Sequence, residues 1–341
     1  MFRSGPIEIW NLTDDGPVEV GPQPLVPIVG RIHDWRPDEQ LTWRLDDGEP
    51  APAFVSTGAE RLSWHGDFAI DGLLRDALAE GEVHELELRL DGPARSHRAE
   101  VKFRPIATAA PEPSWDLAAM TGDEVEQIVQ VIEGRWSLET EPNRLRIEPG
   151  DEGYDRIIAF GRDTYTGDYL LDTTFTIDGF AAGKRFHAFG LLFKWRPHRQ
   201  GDGTHLPRNW TSGLGIFSST GPGLAIRYGE DVHYLPGGIR VGNTVVGTRR
   251  LDALRWAASR ATVRSRLLPV LPQLPIGTRV RMSLEVEDGR HRLSIETEGR
   301  RSIERHLEVE APEPIETGCV GFMAAWTAVT VEELRVSPLT G

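Results

Sequence analysis

The sequence predicts an all-β protein made of two sandwiches, a smaller one followed by a larger one. Three observations predict it. Apolar residues recur with a period of two along almost the whole 341-residue chain. Helical spacing is rare. One unpatterned, Pro/Ala-rich stretch, IATAAPEPS (Ile106 to Ser114), separates a block of about 105 residues from one of more than 220.

The strands can be taken in order. In LTWRL, Leu41, Trp43 and Leu45 share a face, and in HELELRL, Leu86, Leu88 and Leu90 do. Short strands and frequent turn signals in residues 1–105 suit an immunoglobulin-like sandwich. Residues 106–118 are taken as the linker. In DYLLDTTFTI, Tyr169, Leu171, Thr173, Phe175 and Ile177 alternate with mostly polar residues. In RMSLEVEDG, Met282, Leu284 and Val286 alternate with Ser283, Glu285 and Glu287, and Asp288-Gly289 signals a hairpin before RLSIET. Such strands put one face in a core and one in water. Residues 119–341 are too many for an immunoglobulin-like domain and suit a larger jelly-roll sandwich. Two segments carry helical spacing. GDEVEQIVQVI (Gly122 to Ile132) places Val125, Ile128, Val129 and Ile132 on one face, although its β-branched residues also permit a strand. RRLDALRWAASR (Arg249 to Arg260) reads as a short surface helix.

Composition narrows the partners. With 52 acidic against 38 basic residues the formal net charge is -14. Nucleic acid is disfavoured, because its binding rests on neutralising phosphates with Lys and Arg; anionic membranes are disfavoured for the same reason. Cys319 is the one cysteine, which excludes an intrachain disulfide and a CxxC metal site. Its context, GCVGFM, reads as a buried strand. The N-terminus MFRSGPIEIWNLTDDG lacks the apolar stretch of a signal peptide, and no run of about 18 apolar residues forms a membrane span. The expected location is cytoplasmic. Oligomeric state is not legible.

Certain stretches resemble a known superfamily. YDRIIAFGRDTYTGDYLLDTTFTIDGF, followed by FGLLFKW, is similar to the central strands of a concanavalin A-like lectin/glucanase (laminin G-like) domain. GTRVRMSLEVEDGRHRLSIETEG, then ETGCVGFMAAWTAVTVEELRVSP, is similar to its closing strands. The resemblance spans roughly residues 120 to 340 and rests on strand pattern. In the first block, LTWRLDDGEPAPAF and RLSWHGDFAIDG resemble the immunoglobulin-like modules of bacterial surface and carbohydrate-active proteins. What the resemblance implies is a glycan or polysaccharide as the ligand class.

Catalysis is a separate question. Glucanases of the superfamily carry acids alternating along one strand, so that two carboxylates flank the glycosidic bond. Glu285 and Glu287 come nearest, but the next position on that face is Gly289. Similar pairs at Glu85/Glu87, Glu139/Glu141, Glu296/Glu298 and Glu308/Glu310 point to solvated strand faces, so the glucanase activity is not carried over. A lyase needs a base and a cation for the uronate carboxylate. YGEDVHY (Tyr228 to Tyr234) offers His233 or Tyr234 as base, with Tyr228 and Asp231 beside them and Arg196 or Arg240 as clamp; a polar inter-strand loop explains the cluster equally well.

The densest candidate is LLFKWRPHRQGDGTHLPRNWTSGLGIF (Leu191 to Phe217). Trp195 and Trp210 flank a polar loop holding Arg196, His198, Arg199, Asp202, His205 and Arg208. Indole rings stack on the apolar faces of sugars while Asp, His and Arg bond the hydroxyls. Trp195 shares parity with Phe189, Leu191 and Phe193, which favours a core position; Trp210 precedes TSG at a strand start. The resemblance also implies calcium held by carboxylates, with Asp151, Glu152 and Asp155 in PGDEGYD as the available ligands. A histidine metal site would need His187, His198, His205 or His233 to converge. Arg249, Arg250, Arg255, Arg260, Arg264, Arg266, Arg279 and Arg281 form a basic stretch, read as pairing with surplus acids rather than as a face for an anionic polysaccharide. The leading expectation is carbohydrate recognition by the jelly roll. The alternatives are a polysaccharide-degrading hydrolase or lyase, and an assembly protein using the sandwich for protein contacts.

Overall fold

The computed structural model describes residues 1–12, 16–20, 28–57, 64–70, 78–79, 81–107, 115–140, 142–153, 156–160, 168–183, 188–196, 212–219, 223–228, 232–235, 238–241, 274–287, 290–298, 303–310 and 319–339. The first block holds β1 (Phe2–Ser4), β2 (Ile7–Ile9), β3 (Gly16–Val20), β4 (Ile28–Ile32), β5 (Gln40–Leu45), β6 (Ala51–Pro52), β7 (Phe54–Thr57), β8 (His65–Ile70), β9 (His84–Asp91) and β10 (Ser96–Ala107). They form two five-stranded sheets, β1-β2-β4-β8-β7 and β3-β10-β9-β5-β6, with β3 parallel to β10 and the other pairs antiparallel. Ile7, Ile9, Ile28, Phe68 and Ile70 from one sheet meet Leu41, Leu86, Leu88, Leu90, Val101 and Phe103 from the other. Leu86, Leu88 and Leu90 are all fully buried, as their alternation demands; each contributes about 1.5–3 kcal/mol relative to exposure.

The second block begins with β11 (Trp115–Asp116), a 3-10 turn (Leu117–Ala119) and α1 (Gly122–Ile128). Its next strands are β12 (Val129–Glu133), β13 (Trp136–Glu139), β14 (Arg144–Ile147), β15 (Arg156–Phe160), β16 (Tyr169–Phe180), β17 (Ala188–Arg196), β18 (Ser212–Ser219) and β19 (Gly223–Tyr228). Then come β20 (Val232–Leu235), β21 (Gly238–Val241), β22 (Arg279–Glu287), β23 (Arg290–Glu298), β24 (Ile303–Glu310), β25 (Cys319–Ala325) and β26 (Thr327–Pro338). One sheet is ordered β13-β14-β26-β16-β22-β23-β24, with β11 also pairing β26; the other is β12-β15-β25-β17-β18-β19; β20 and β21 pair as a hairpin. The protein is thus all-β, with two large, mainly antiparallel sheets in its second block.

The two large sheets meet face to face through aromatic rings. Phe175 of β16 lies 4.9 Å from Phe189 of β17 and 5.0 Å from Phe322 of β25, edge to face in both cases. Around them pack Leu171, Ile177, Met282, Leu284, Val286, Ile158, Leu191 and Val331. The chain crosses between sheets at Trp326, whose left-handed backbone (φ 53°) turns β25 into β26.

Several expectations resolve here. Tyr169, Leu171, Thr173, Phe175 and Ile177 all face the core, and Glu287 pairs with Arg290 across the two-residue Asp288-Gly289 connection. The Gly122–Ile132 segment is both of its readings. A capping box between Thr121 and Glu124 starts a helix, which stops at Ile128, and the β-branched remainder becomes β12. The Arg249–Arg260 helix lies outside the described residues. The linker's ends are tied in: Ile106 and Ala107 pair with Glu19 and Val20 of β3, while Trp115 and Asp116 pair with Val336 and Arg335.

Candidate functional site

Strand register defines the two ends of the six-stranded sheet. β17 runs antiparallel to β25, with Ala188 opposite Ala325 and Trp195 opposite Cys319. β15 also runs antiparallel to β25, with Arg156 opposite Ala324 and Phe160 opposite Val320. The Trp195 end and the Arg156 end are therefore separated by five steps along β25, about 16 Å at about 3.3 Å per residue.

At the Trp195 end the chain leaves or rejoins the sheet after Phe160, after Arg196, at Ser212, after Tyr228 and before Cys319. Arg196 pairs with Ser212, and two residues along β18 Leu214 pairs with Tyr228. Arg196 and Tyr228 therefore flank β18, two strand spacings across and two residues along, about 12 Å apart. The β20–β21 hairpin sits beside β19 and puts His233 opposite Arg240. Trp195, Arg196 and Tyr228 are thus brought to one end of the sheet, with His233 on the hairpin next to it. His198, Asp202, Trp210, Asp231, Asp155, His187 and His205 lie outside the described residues.

The Arg156 end has a different chemistry. Arg156 is fully buried; its aliphatic stem fills the space where a Cβ at Gly134 would stand, and its guanidinium the space where one at Gly153 would. Gly134 adopts φ 86°, a conformation that glycine takes without strain. Arg156 Nε lies 2.9 Å from Asp151 Oδ2, and Arg31 Nη2 donates to Asp151 Oδ1 at 3.2 Å. The Arg135 backbone amide donates to Asp151 Oδ2 at 2.7 Å. Arg31 Nε donates to Asp67 Oδ1 at 2.6 Å, while Asp67 Oδ2 accepts no hydrogen bond and stands 4.0 Å from Arg156. Burial pushes the Asp67 carboxyl up to about 7 against the pull of both arginines.

These facts correct the reading of Asp151 as a calcium ligand. Its oxygens face two guanidiniums and an amide, and a divalent cation there would be repelled by both arginines. Among the described residues no group of three His, Cys, Asp or Glu is arranged to hold a metal ion. Sequence reasoning missed Arg31, Asp67 and Arg156 as a cluster. The available signal was a charge inside otherwise apolar strands: Arg31 in IVGRI, Asp67 in HGDFAI, Arg156 in RIIAF.

The outer face of the eight-stranded sheet is a ladder of ion pairs. Arg292 Nη1 lies 2.7 Å from Glu285 and 3.5 Å from Glu287, so one cation is shared by both carboxylates. Arg279 meets Glu332, Glu298 and Glu333, while Arg249, Arg250, Arg255, Arg260, Arg264 and Arg266 lie outside the described residues. In the first block Glu87 is bound by Arg44 and Arg98. These alternating glutamates are solvated, charge-paired strand faces. No helix among the described residues is long and apolar enough to cross a membrane.

No protein-family model and no curated protein sequence matches the chain. Among solved structures it is similar to the exoplasmic/lumenal domain of VIP36 in its Ca2+-bound form, at 12% identity and a TM-score of 0.42, covering 67% of this chain and 90% of that one. It is also similar to a legume lectin-like domain from Entamoeba histolytica, at 14% identity and a TM-score of 0.41, covering 68% and 100%. A third is the carbohydrate recognition domain of Emp46p in its metal-free form, at 13% identity and a TM-score of 0.37, covering 64% and 93%.

Proposed function

We propose that the protein recognises a glycan at the Trp195 end of its six-stranded sheet. One observation carries the reading. The register brings Trp195, Arg196 and Tyr228, and the departure points of residues 197–211 and 229–231, to the same end. Those connections hold His198, Asp202, Trp210 and Asp231. Aromatic rings supply stacking surfaces for sugar faces, and Arg, His and Asp supply directional bonds to hydroxyls. Connections held by a rigid sheet are where binding residues concentrate. The first block then serves as an immunoglobulin-like base, a reading its two facing five-stranded sheets support.

The test is a glycan-array screen, followed by titration of the best hit against Trp210→Ala. A stacking tryptophan contributes on the order of 1–3 kcal/mol, so binding should weaken roughly 5- to 150-fold. Unchanged affinity in Trp210→Ala, with Tyr228→Ala also silent, would remove the site from this end. The lyase reading has one observation in its favour, the pairing of His233 with Arg240. Elimination on a uronate polymer leaves a conjugated alkene absorbing in the ultraviolet. Its appearance with the wild type, and loss in His233→Ala, would move the protein to the enzyme class.

A further inference from the structure

Each block contributes one buried arginine–aspartate pair to the boundary between them. Arg31 and Asp67 come from β4 and β8 of the first block; Asp151 and Arg156 come from the second. The pairs dock head to tail. Arg31 reaches Asp151 at 3.2 Å and Arg156 stands 4.0 Å from Asp67, so each guanidinium meets the other block's carboxyl group. Asp67, Asp151 and Arg156 are 0–2% exposed. Beside them Trp10, Val29, Ala69 and Phe54 of the first block pack with Val131 of β12. Arg135 of the second block lies 3.4 Å from Glu8 of the first, which also holds His33 at 2.7 Å.

We propose that this cluster is an interdomain lock that makes the two sandwiches one body, not two modules on a tether. Separation would break the Arg31–Asp151 and Arg156–Asp67 contacts and expose the patch of Trp10, Val29, Ala69, Phe54 and Val131 to water, whereas deleting one charge in the docked state would leave its partner buried and unpaired. Charges desolvated in this way are tolerated only while their partners stay in place, and removing one partner is far more damaging than any surface pair. An apolar patch and the Arg135–Glu8 ion pair add further contacts across the same boundary. The lock sits at the Arg156 end of the sheet, so the first block is held away from the Trp195 end.

The experiment inserts a site-specific protease sequence between Ala110 and Pro111 of the full chain. After cleavage, the two halves should elute together as one species of full-length mass. Separate elution of the wild-type halves under native conditions would overturn the lock. Arg31→Met and Asp151→Asn, made singly and together, locate its source. Each single variant should raise the dissociation constant of the cut halves at least about tenfold, and the double variant should cost less than the product of the two. Halves that stay together equally well in all three variants would show that these four charges are not what holds the blocks. Circular dichroism of the uncut variants checks that both sandwiches remain folded.

Discussion

Asp67→Asn should be nearly neutral in acid and stabilising in mild base. Asp67 is fully buried, one of its oxygens takes Arg31 Nε at 2.6 Å, and the other takes no hydrogen bond. Burial is the largest influence and moves the carboxyl from an ordinary 3.8 to about 7; Arg31 and Arg156 oppose the rise, and the Asp151 charge adds to it. Glu8 and Arg135 are the next charges in the cluster. A raised folded-state value means that folding favours the protonated acid. The stability it contributes is complete below 3.8 and is lost as pH rises through about 7. Three units at 1.36 kcal/mol each set the loss at about 4 kcal/mol. Asparagine keeps the neutral, Arg31-accepting shape and does not titrate. Subtracting the variant's stability from that of the wild type cancels every other titration. Urea unfolding of both proteins between about pH 4 and 8.5 gives that difference at each pH. It should fall by up to about 4 kcal/mol across the window and be flat on either side. A difference that instead grows with pH, leaving Asp67→Asn several kcal/mol less stable at pH 8, would mean that the Arg31 pair outweighs burial and would refute the reasoning.

Three further outcomes follow from the packing and the ion pairs. Phe175→Ala removes the ring shared by both large sheets and should cost about 3–5 kcal/mol in urea unfolding. Arg95 binds both oxygens of the buried Glu39 at 2.5 and 2.8 Å and holds its carboxyl below the usual range. The stability this gives is present above about pH 4.5 and is lost as pH falls through the lowered value, so Arg95→Met should flatten the acid limb of an unfolding titration. Glu285→Gln with Glu287→Gln should leave glycan binding and any turnover unchanged, because Arg292 already engages both carboxylates; loss of turnover in a folded double variant would contradict this.

The strands were legible because a half-buried strand writes its burial into alternate letters. Leu86, Leu88 and Leu90 read as one face and are one. The all-β class and the sandwich of the second block follow from many such runs. The pairing order did not follow. That β16 lies between β26 and β22 depends on contacts more than 100 residues apart, which no local pattern encodes. Residues 122–132 show the limit of periodicity: Val125 and Ile128 fit a helix, Val129 and Val131 fit a strand, and the chain does both in turn. The candidate site was legible as composition, a dense polar loop between tryptophans. Its gathering with Tyr228 was not, because that comes from the register of β17, β18 and β19.

Asp151 shows why charge chemistry resists sequence reading. In PGDEGYD it sits among carboxylates and glycines, as a calcium ligand would. Its partners are Arg31, 120 residues upstream, and Arg156, five residues downstream. A lone aspartate has the same letters whether a cation or a guanidinium faces it. What separates the cases is the space around it. Gly134 and Gly153 leave room for the Arg156 side chain, and a Cβ at either position would collide with it. The glycines, more than the acids, therefore record which cation is held. Gly153→Ala should damage the cluster as severely as removing Arg156, although it deletes no charge. Urea unfolding of the two variants makes the comparison. A Gly153→Ala protein as stable as the wild type would show that Arg156 can be held elsewhere, and that the glycines are not what fits Asp151 to an arginine.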